Sequence, residues 1–318
     1  MQEQLIKRAK ELLAEGKVQK VVGWKKGLFD EDITPAVFTS AEELDKDFVF
    51  NKYCAANLSK YLVKITREIE IKKSTTRMNN TMAKQRDPNA AEAPIPSEVV
   101  LVFLKPNDTY SFTQLLKENR ITRSDVYAIG VPCQDSLEGG EPCVNCQNKK
   151  PVSCDELIGI EAEAPAVESN RMEMVEKLEA MTAEERYAFW QNEFSRCIRC
   201  NACRNICPAC TCEKCVFDNN NLYTSQKVAE TSFEESLFHI IRAWHVAGRC
   251  TDCGECSRVC PQGIPLHLLN RKFIKDINEI YGPYQAGADM ETKPAMLTFK
   301  EEDPETSIIS DRQEGGNE

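Results

Sequence analysis

Two four-cysteine runs of identical spacing constrain this chain more than any other feature. Cys197-x2-Cys200-x2-Cys203-x3-Cys207 is followed by Pro208, and Cys250-x2-Cys253-x2-Cys256-x3-Cys260 by Pro261. Three closely spaced thiolates fold around one face of an iron–sulfur cube, and the proline turns the chain away so that the fourth sulfur points elsewhere. In two-cluster ferredoxins that fourth cysteine ligates the other cluster. The pattern predicts Cys197, Cys200, Cys203 and Cys260 on one 4Fe–4S cluster and Cys250, Cys253, Cys256 and Cys207 on a second. Zinc or disulfide cysteines are the bland alternative, disfavoured because zinc pairs rarely repeat a full four-cysteine run.

Eight further cysteines bring the total to sixteen. Cys133, Cys143, Cys146 and Cys154 occupy one loop with Gly139, Gly140, Pro142 and Pro151, enough thiolates for a third 4Fe–4S cluster. A four-cysteine zinc site is the rival there, since zinc accepts any tetrahedral quartet. Cys210, Cys212 and Cys215 directly follow the first run, and Cys54 stands alone. Together these four would complete a fourth cluster. The alternative leaves Cys54 as a small buried apolar residue and the trio partly idle.

Length and charge narrow the rest. With 318 residues there is room for about two domains. This many cysteines would mean a disulfide scaffold only in a short secreted chain. The opening residues are charged throughout, with no apolar core of a signal peptide. No stretch reaches the roughly eighteen apolar residues that span a bilayer. A cytoplasmic, reducing location is expected. The net charge of −10 argues against nucleic acid and for protein partners.

Periodicity supplies the elements. Leu5, Ile6, Ala9, Leu12 and Leu13 recur at helical spacing, and Val18 to Trp24 is a short apolar run of strand character. Residues 41–65 read as one helix carrying Cys54, and the polar stretch 66–96 as an insertion or mobile loop. Val99–Leu104 and Val126–Val131 are buried-strand runs around a helix at about 112–119, a βαβ unit that favours a parallel sheet. Ligands gather at the C-terminal strand ends of such sheets, where Asn107, Asp108 and Cys133 lie.

Beyond residue 160 the chain reads as helical. Thr182 to Glu185 is a capping box opening a helix toward Cys197. Helices at about 233–247 and 266–281 flank the second run. His239, His245 and His267 are the only histidines; a lone helical histidine is more often a satisfied polar residue than a ligand. Arg199, Arg204, Arg249, Arg258 and Lys214 lie among the thiolates, where positive charge raises cluster potentials. There is no dinucleotide fingerprint, no P-loop and no hydrolytic constellation.

The expected fold class is therefore α+β. Residues 1–164 form an α/β domain with a parallel or mixed sheet and the cluster loop, residues 165–287 an α-helical two-cluster ferredoxin domain, and residues 288–318 an acidic tail, disordered or docking on a partner.

Ile129-Gly-Val-Pro-Cys133-Gln134 with Cys143-x2-Cys146-x7-Cys154 resembles the iron–sulfur loop of the coenzyme F420 hydrogenase/formate dehydrogenase β-subunit family. Val21-Val-Gly-Trp-Lys-Lys-Gly27, Phe189-Trp-x3-Phe194-Ser-Arg-Cys197, Arg242-Ala-Trp-His-x-Ala-Gly-Arg-Cys250 and Gly263-Ile-Pro-Leu-x3-Asn270-Arg-Lys point to a fused subgroup. Its C-terminal part is similar to the two-cluster subunit of heterodisulfide reductases. The chain departs from the family at Lys105-Pro106-Asn107-Asp108, where members usually read Lys-x-Cys-Asp, so no role of that cysteine carries over.

The resemblance implies an electron-relay subunit of a multisubunit oxidoreductase, with no catalytic residues of its own. It would connect a hydrogenase, formate dehydrogenase or other flavoprotein to a heterodisulfide-reductase-like flavoprotein that bifurcates electrons or not. The alternative is a true β subunit that binds FAD and reduces a deazaflavin carrier. A third is a structural adaptor whose clusters staple the fold.

Overall fold

The computed structural model describes residues 1–133, 146–148, 150–159, 170–218 and 233–294. Helix α1 (Gln2–Ala14) buries Leu5, Ala9 and Leu12 and leads into β1 (Lys20–Lys26). Strand β2 (Ile33–Phe38) pairs antiparallel with β1, while β3 (Val100–Leu104), β4 (Val126–Gly130) and the two-residue β5 (Glu156–Leu157) add in parallel. The order is β2-β1-β3-β4-β5, a mixed sheet. All five residues of β3 are buried, as a strand covered on both faces requires. Gly23 sits in β1 because a β-carbon there would come within 2.7 Å of the Phe48 ring.

Helix α4 (Pro106–Lys117) joins β3 to β4, completing the expected βαβ unit. It begins earlier than periodicity suggested. Pro106 takes the first helical position, where its missing N–H and fixed φ are tolerated.

Residues 41–65 are not one helix. Helix α2 (Ala41–Asp47) stops at Phe48, whose extended backbone begins an irregular segment, and α3 runs from Ser59 to Arg86. Ser40 caps α2 by accepting from the Glu43 N–H. Cys54 consequently lies between the helices.

Residues 66–86 of the polar stretch expected as an insertion or loop are instead the outer part of α3, and residues 87–96 follow it without helix or strand. The buried residues of α3, Ser59, Leu62, Thr66 and Ile69, end early, and the exposed remainder is held from the side. Lys73 bonds Asp125 at 2.5 Å, and Asn80 exchanges two hydrogen bonds with the Ala93 backbone. A helix lacking an apolar stripe is invisible to periodicity, yet good helix formers and lateral contacts suffice to hold it.

The C-terminal part is helical as expected: α5 (Glu173–Glu179), α6 (Ala183–Ser195), α7 (Ala202–Ile206), α8 (Phe233–Trp244), α9 (Glu255–Arg258) and α10 (His267–Tyr281). Thr182 and Glu185 form the predicted capping box. A ring ladder runs from Phe189 through Trp190 and Phe194 to His239, with centroids 5.2, 5.3 and 4.5 Å apart.

The two parts are joined through α4. Ser111 Oγ lies 2.8 Å from Thr251 Oγ1, and Arg249 donates to Glu118 at 2.8 Å. Asn148 donates to the Asn107 side chain at 2.9 Å and to the Thr251 carbonyl at 3.1 Å. No described helix is long and apolar enough to cross a membrane. Most of the acidic tail, from residue 295 on, lies outside the described residues; before that point Lys117 bonds the Thr292 carbonyl.

Candidate metal centre

The two cysteine runs share a backbone. In the first, Arg199 and Asn201 have φ of 54° and 60°; in the second, Asp252 and Gly254 have 57° and 71°. Each pair stands two and four residues after the leading cysteine. Left-handed residues at these points curl the chain so that successive N–H groups face inward, a concavity suited to an anionic cluster. The Arg199 N–H accordingly donates to Cys197 Sγ at 3.3 Å. Left-handed φ is costly away from glycine. At Asp252 the carboxylate is clamped by Arg271 at 2.9 Å and Arg171 at 3.1 Å.

Two small cavities lie at these concavities. The first is lined by Cys197, Cys200, Cys203 and Cys260, with Phe238 and His239. Cys207, Cys250 and Cys253 line the second, roofed by Ser111, Gln114, Leu115 and Glu118 of and just beyond α4. Cys256 is buried near Cys207 and accepts from Asn270 Nδ2 at 3.5 Å. The fourth cysteine of each run thus lines a cavity with leading cysteines of the other. Among the described residues no three Cys, His, Asp or Glu side chains converge as one bare metal ion would need. A cubane, whose irons are separate corners, suits thiolates spread around a hollow.

Arg242 lines a neighbouring cavity, near enough to feel sulfurs of both cysteine runs. It is 2% exposed, and among the described residues none of its three guanidinium nitrogens has a hydrogen-bond partner. Burial opposes its charge, but the sulfurs of Cys256, Cys203, Cys207 and Cys210 outweigh it and hold the pKa above its ordinary value. An unpaired buried cation costs several kcal/mol. Thiolate-bound clusters, which carry net negative charge, would supply the missing counter-charge.

His239 was expected to be a satisfied helical residue. It is instead buried, with neither ring nitrogen hydrogen-bonded among the described residues. Burial, then Arg242 and Arg199, push its pKa down to about 3, so the ring is neutral. A neutral ring keeps one N–H to offer to sulfur in the first cavity. Sequence reasoning missed Arg242 and His239 as site residues. The available signal was their spacing on α8, three residues apart and hence on one face.

The third loop is only partly described, because Cys143 lies outside the described residues. Cys133 follows β4, Cys146 lies beside Tyr110, and Cys154 packs against Gly130, where an added β-carbon would meet its sulfur at 3.3 Å.

The last four cysteines separate. Cys54 is 1% exposed in the core of the α/β part. It accepts from the Asn51 N–H at 3.3 Å and lies 3.6 Å from the Val49 carbonyl, to which its thiol donates. Burial pushes its pKa up to about 11. Cys210, Cys212 and Cys215 instead line a separate cavity that Cys54 does not reach.

Lys105 and Asp108, at the position of the departed motif, form a buried pair 2.8 Å apart. Lys105 also donates to the Ala56 carbonyl at 2.9 Å and lies 4.8 Å from the Trp24 ring centroid. Burial raises Asp108 to about 6, with Lys105 pulling the other way.

Comparison with known proteins agrees with this geometry. Residues 193–264 match the 4Fe–4S dicluster domain family. The chain is 29% identical over 131 residues to the F420-dependent formate dehydrogenase subunit beta of Methanocaldococcus jannaschii, covering 40% of this chain and 34% of that one. It is 31% identical over 141 residues to the F420-dependent formate dehydrogenase 1 subunit beta of Methanococcus maripaludis, covering 43% and 35% respectively. The matched segments are about a third of the length of these relatives. The chain therefore carries a 4Fe–4S dicluster domain and is similar to the β subunits of F420-dependent formate dehydrogenases.

Proposed function

We propose that this chain is an iron–sulfur electron-transfer subunit of a multisubunit oxidoreductase. The observation that carries the reading is the placement of Arg242, one unpaired guanidinium beside sulfurs drawn from both four-cysteine sets. When bound, the clusters supply one-electron carriers. The chain's own residues hold and tune them. Arg242 offsets their negative charge, Arg199 and Asn270 donate to ligand sulfurs, and α4 lines one side of the second cavity.

The third loop, through Cys133, Cys143, Cys146 and Cys154, would add a further cluster on the α/β side. Asn148, two residues past Cys146, bonds the carbonyl of Thr251, which adjoins Cys250. That contact supports a continuous redox body across the two parts. Its partners would be a formate dehydrogenase or hydrogenase catalytic subunit on one side and a heterodisulfide-reductase-like flavoprotein on the other.

A second reading is favoured by the relatives' dependence on F420. In it the α/β part binds FAD and passes hydride to or from a deazaflavin. Anaerobic purification of the full chain with its native partners tests both. Brown material with reversible EPR signals, a co-purifying redox subunit and no released flavin is expected. A colourless monomer would overturn the first reading, and stoichiometric flavin release would replace it with the second.

A further inference from the structure

The cavity carrying Cys210, Cys212 and Cys215 is distinct from both ferredoxin sites, with a volume of about 410 Å³. Its other wall is one face of α8 and the turn beyond it: Arg242, His245, Val246 and Arg249. These residues stand at helical intervals of three and four, so all point the same way. Lys60 and Arg204 complete a strongly basic lining.

The acidic groups at this cavity are already engaged. Glu213 pairs with Arg67 at 2.7 Å and Asp218 with Arg204 at 2.6 Å. Arg249 is held by Glu118, and Lys60 bonds the Cys210 carbonyl. Arg242 alone reaches the cavity buried and with no partner among the described residues. The site therefore calls for an occupant that is bulky, negatively charged and bound by sulfur.

We propose that this cavity holds a further 4Fe–4S cluster, ligated by Cys210, Cys212, Cys215 and His245. This rests on the reading of the chain as an iron–sulfur protein. Three cysteines and a histidine would equally suit zinc in type. The geometry separates the two: the thiolates do not converge on a point, and a lone ion would leave most of the hollow empty. Cys54, the partner expected from residue counting, lies in the α/β core and is replaced here by His245, the imidazole in the lining, whose carboxylates Glu213 and Asp218 are held in ion pairs.

The inference also explains the close spacing of the trio to the first run. Cys207 and Cys210 are in contact, so the wall between the second ferredoxin cavity and this one is a single turn of chain. Arg242 then sits beside ligands of three clusters at once.

The test uses the full chain, reconstituted anaerobically with iron and sulfide, comparing wild type with C212A/C215A and with H245A. The double variant is expected to lose about four iron per chain while keeping the two ferredoxin EPR signals, which also show that it folds. Pulsed EPR of wild type is expected to show a nitrogen coupling that H245A abolishes. Unchanged iron in C212A/C215A, or zinc bound in place of iron, overturns the proposal and leaves the ferredoxin reading standing. A nitrogen coupling that survives H245A overturns the histidine assignment. Wild type without ferredoxin signals would sink the underlying reading instead.

Discussion

Cys260 lines the same cavity as Cys197, although the two belong to different four-cysteine runs. On the proposed reading each cluster draws its ligands from both runs. C197A and C260A should each disrupt the same cluster, so the double variant loses little more iron than either single one. C197A/C207A should lose about eight iron, since it strikes both clusters. Iron analysis with EPR of each variant decides the matter. The reverse pattern, more iron lost from C197A/C260A than from C197A/C207A, would contradict the crossover.

Replacing Arg242 with Gln removes a charge that faces sulfurs of both sets. Both ferredoxin clusters should become harder to reduce. A unit charge a few Å away at an effective dielectric of about 20 corresponds to a downward shift on the order of 100 mV. Potentiometric EPR titration measures it. A shift confined to one cluster would mean the guanidinium acts on one set of sulfurs alone.

The contact between the two parts can be probed at Asn148, which is 6% exposed and bonds both Asn107 and Thr251. N148A leaves the buried Thr251 carbonyl without that donor. The expected cost is about 1–3 kcal/mol, seen as a lower anaerobic melting temperature with iron content unchanged.

Cys54 should contribute no iron: C54A is expected to bind as much as wild type. Its folded pKa of about 11 exceeds the ordinary thiol value, so the buried thiol favours folding below pH about 9, and that contribution is lost as pH rises toward 11. Stability measured across pH 8–11 should therefore fall less steeply in C54A. Loss of about four iron in C54A would instead restore it to a cluster.

Lys105→Met strands the Asp108 carboxylate in a fully buried site. The cost should be about 3–5 kcal/mol, typical of breaking a buried pair from one side. The paired change K105M/D108L should recover a good part of it. Denaturant unfolding of the three variants reads this out.

Local order settled a great deal. Cysteine spacing, the Thr182–Glu185 capping box, the β3–α4–β4 unit and the end helices all follow from residues close in the chain, because short-range geometry and periodicity are written locally. Whatever depends on contacts between distant segments was hidden. The outer half of α3 has no apolar stripe and is held by residues that return to it from 87–125. Cys54 had to be placed by folding, since one thiol carries no spacing. His239 on α8 and His245 just past its end differ by six positions, and one lines the first ferredoxin cavity and the other the Cys210 cavity. In the sequence Arg242 stood out only as part of a matched stretch; the fold made it a buried charge, without a hydrogen-bond partner among the described residues, near sulfurs of both runs. Ligand chemistry was thus a property of the sequence, while the electrostatic environment around the ligands, being a sum over neighbours far apart in the chain, was decided by the tertiary structure.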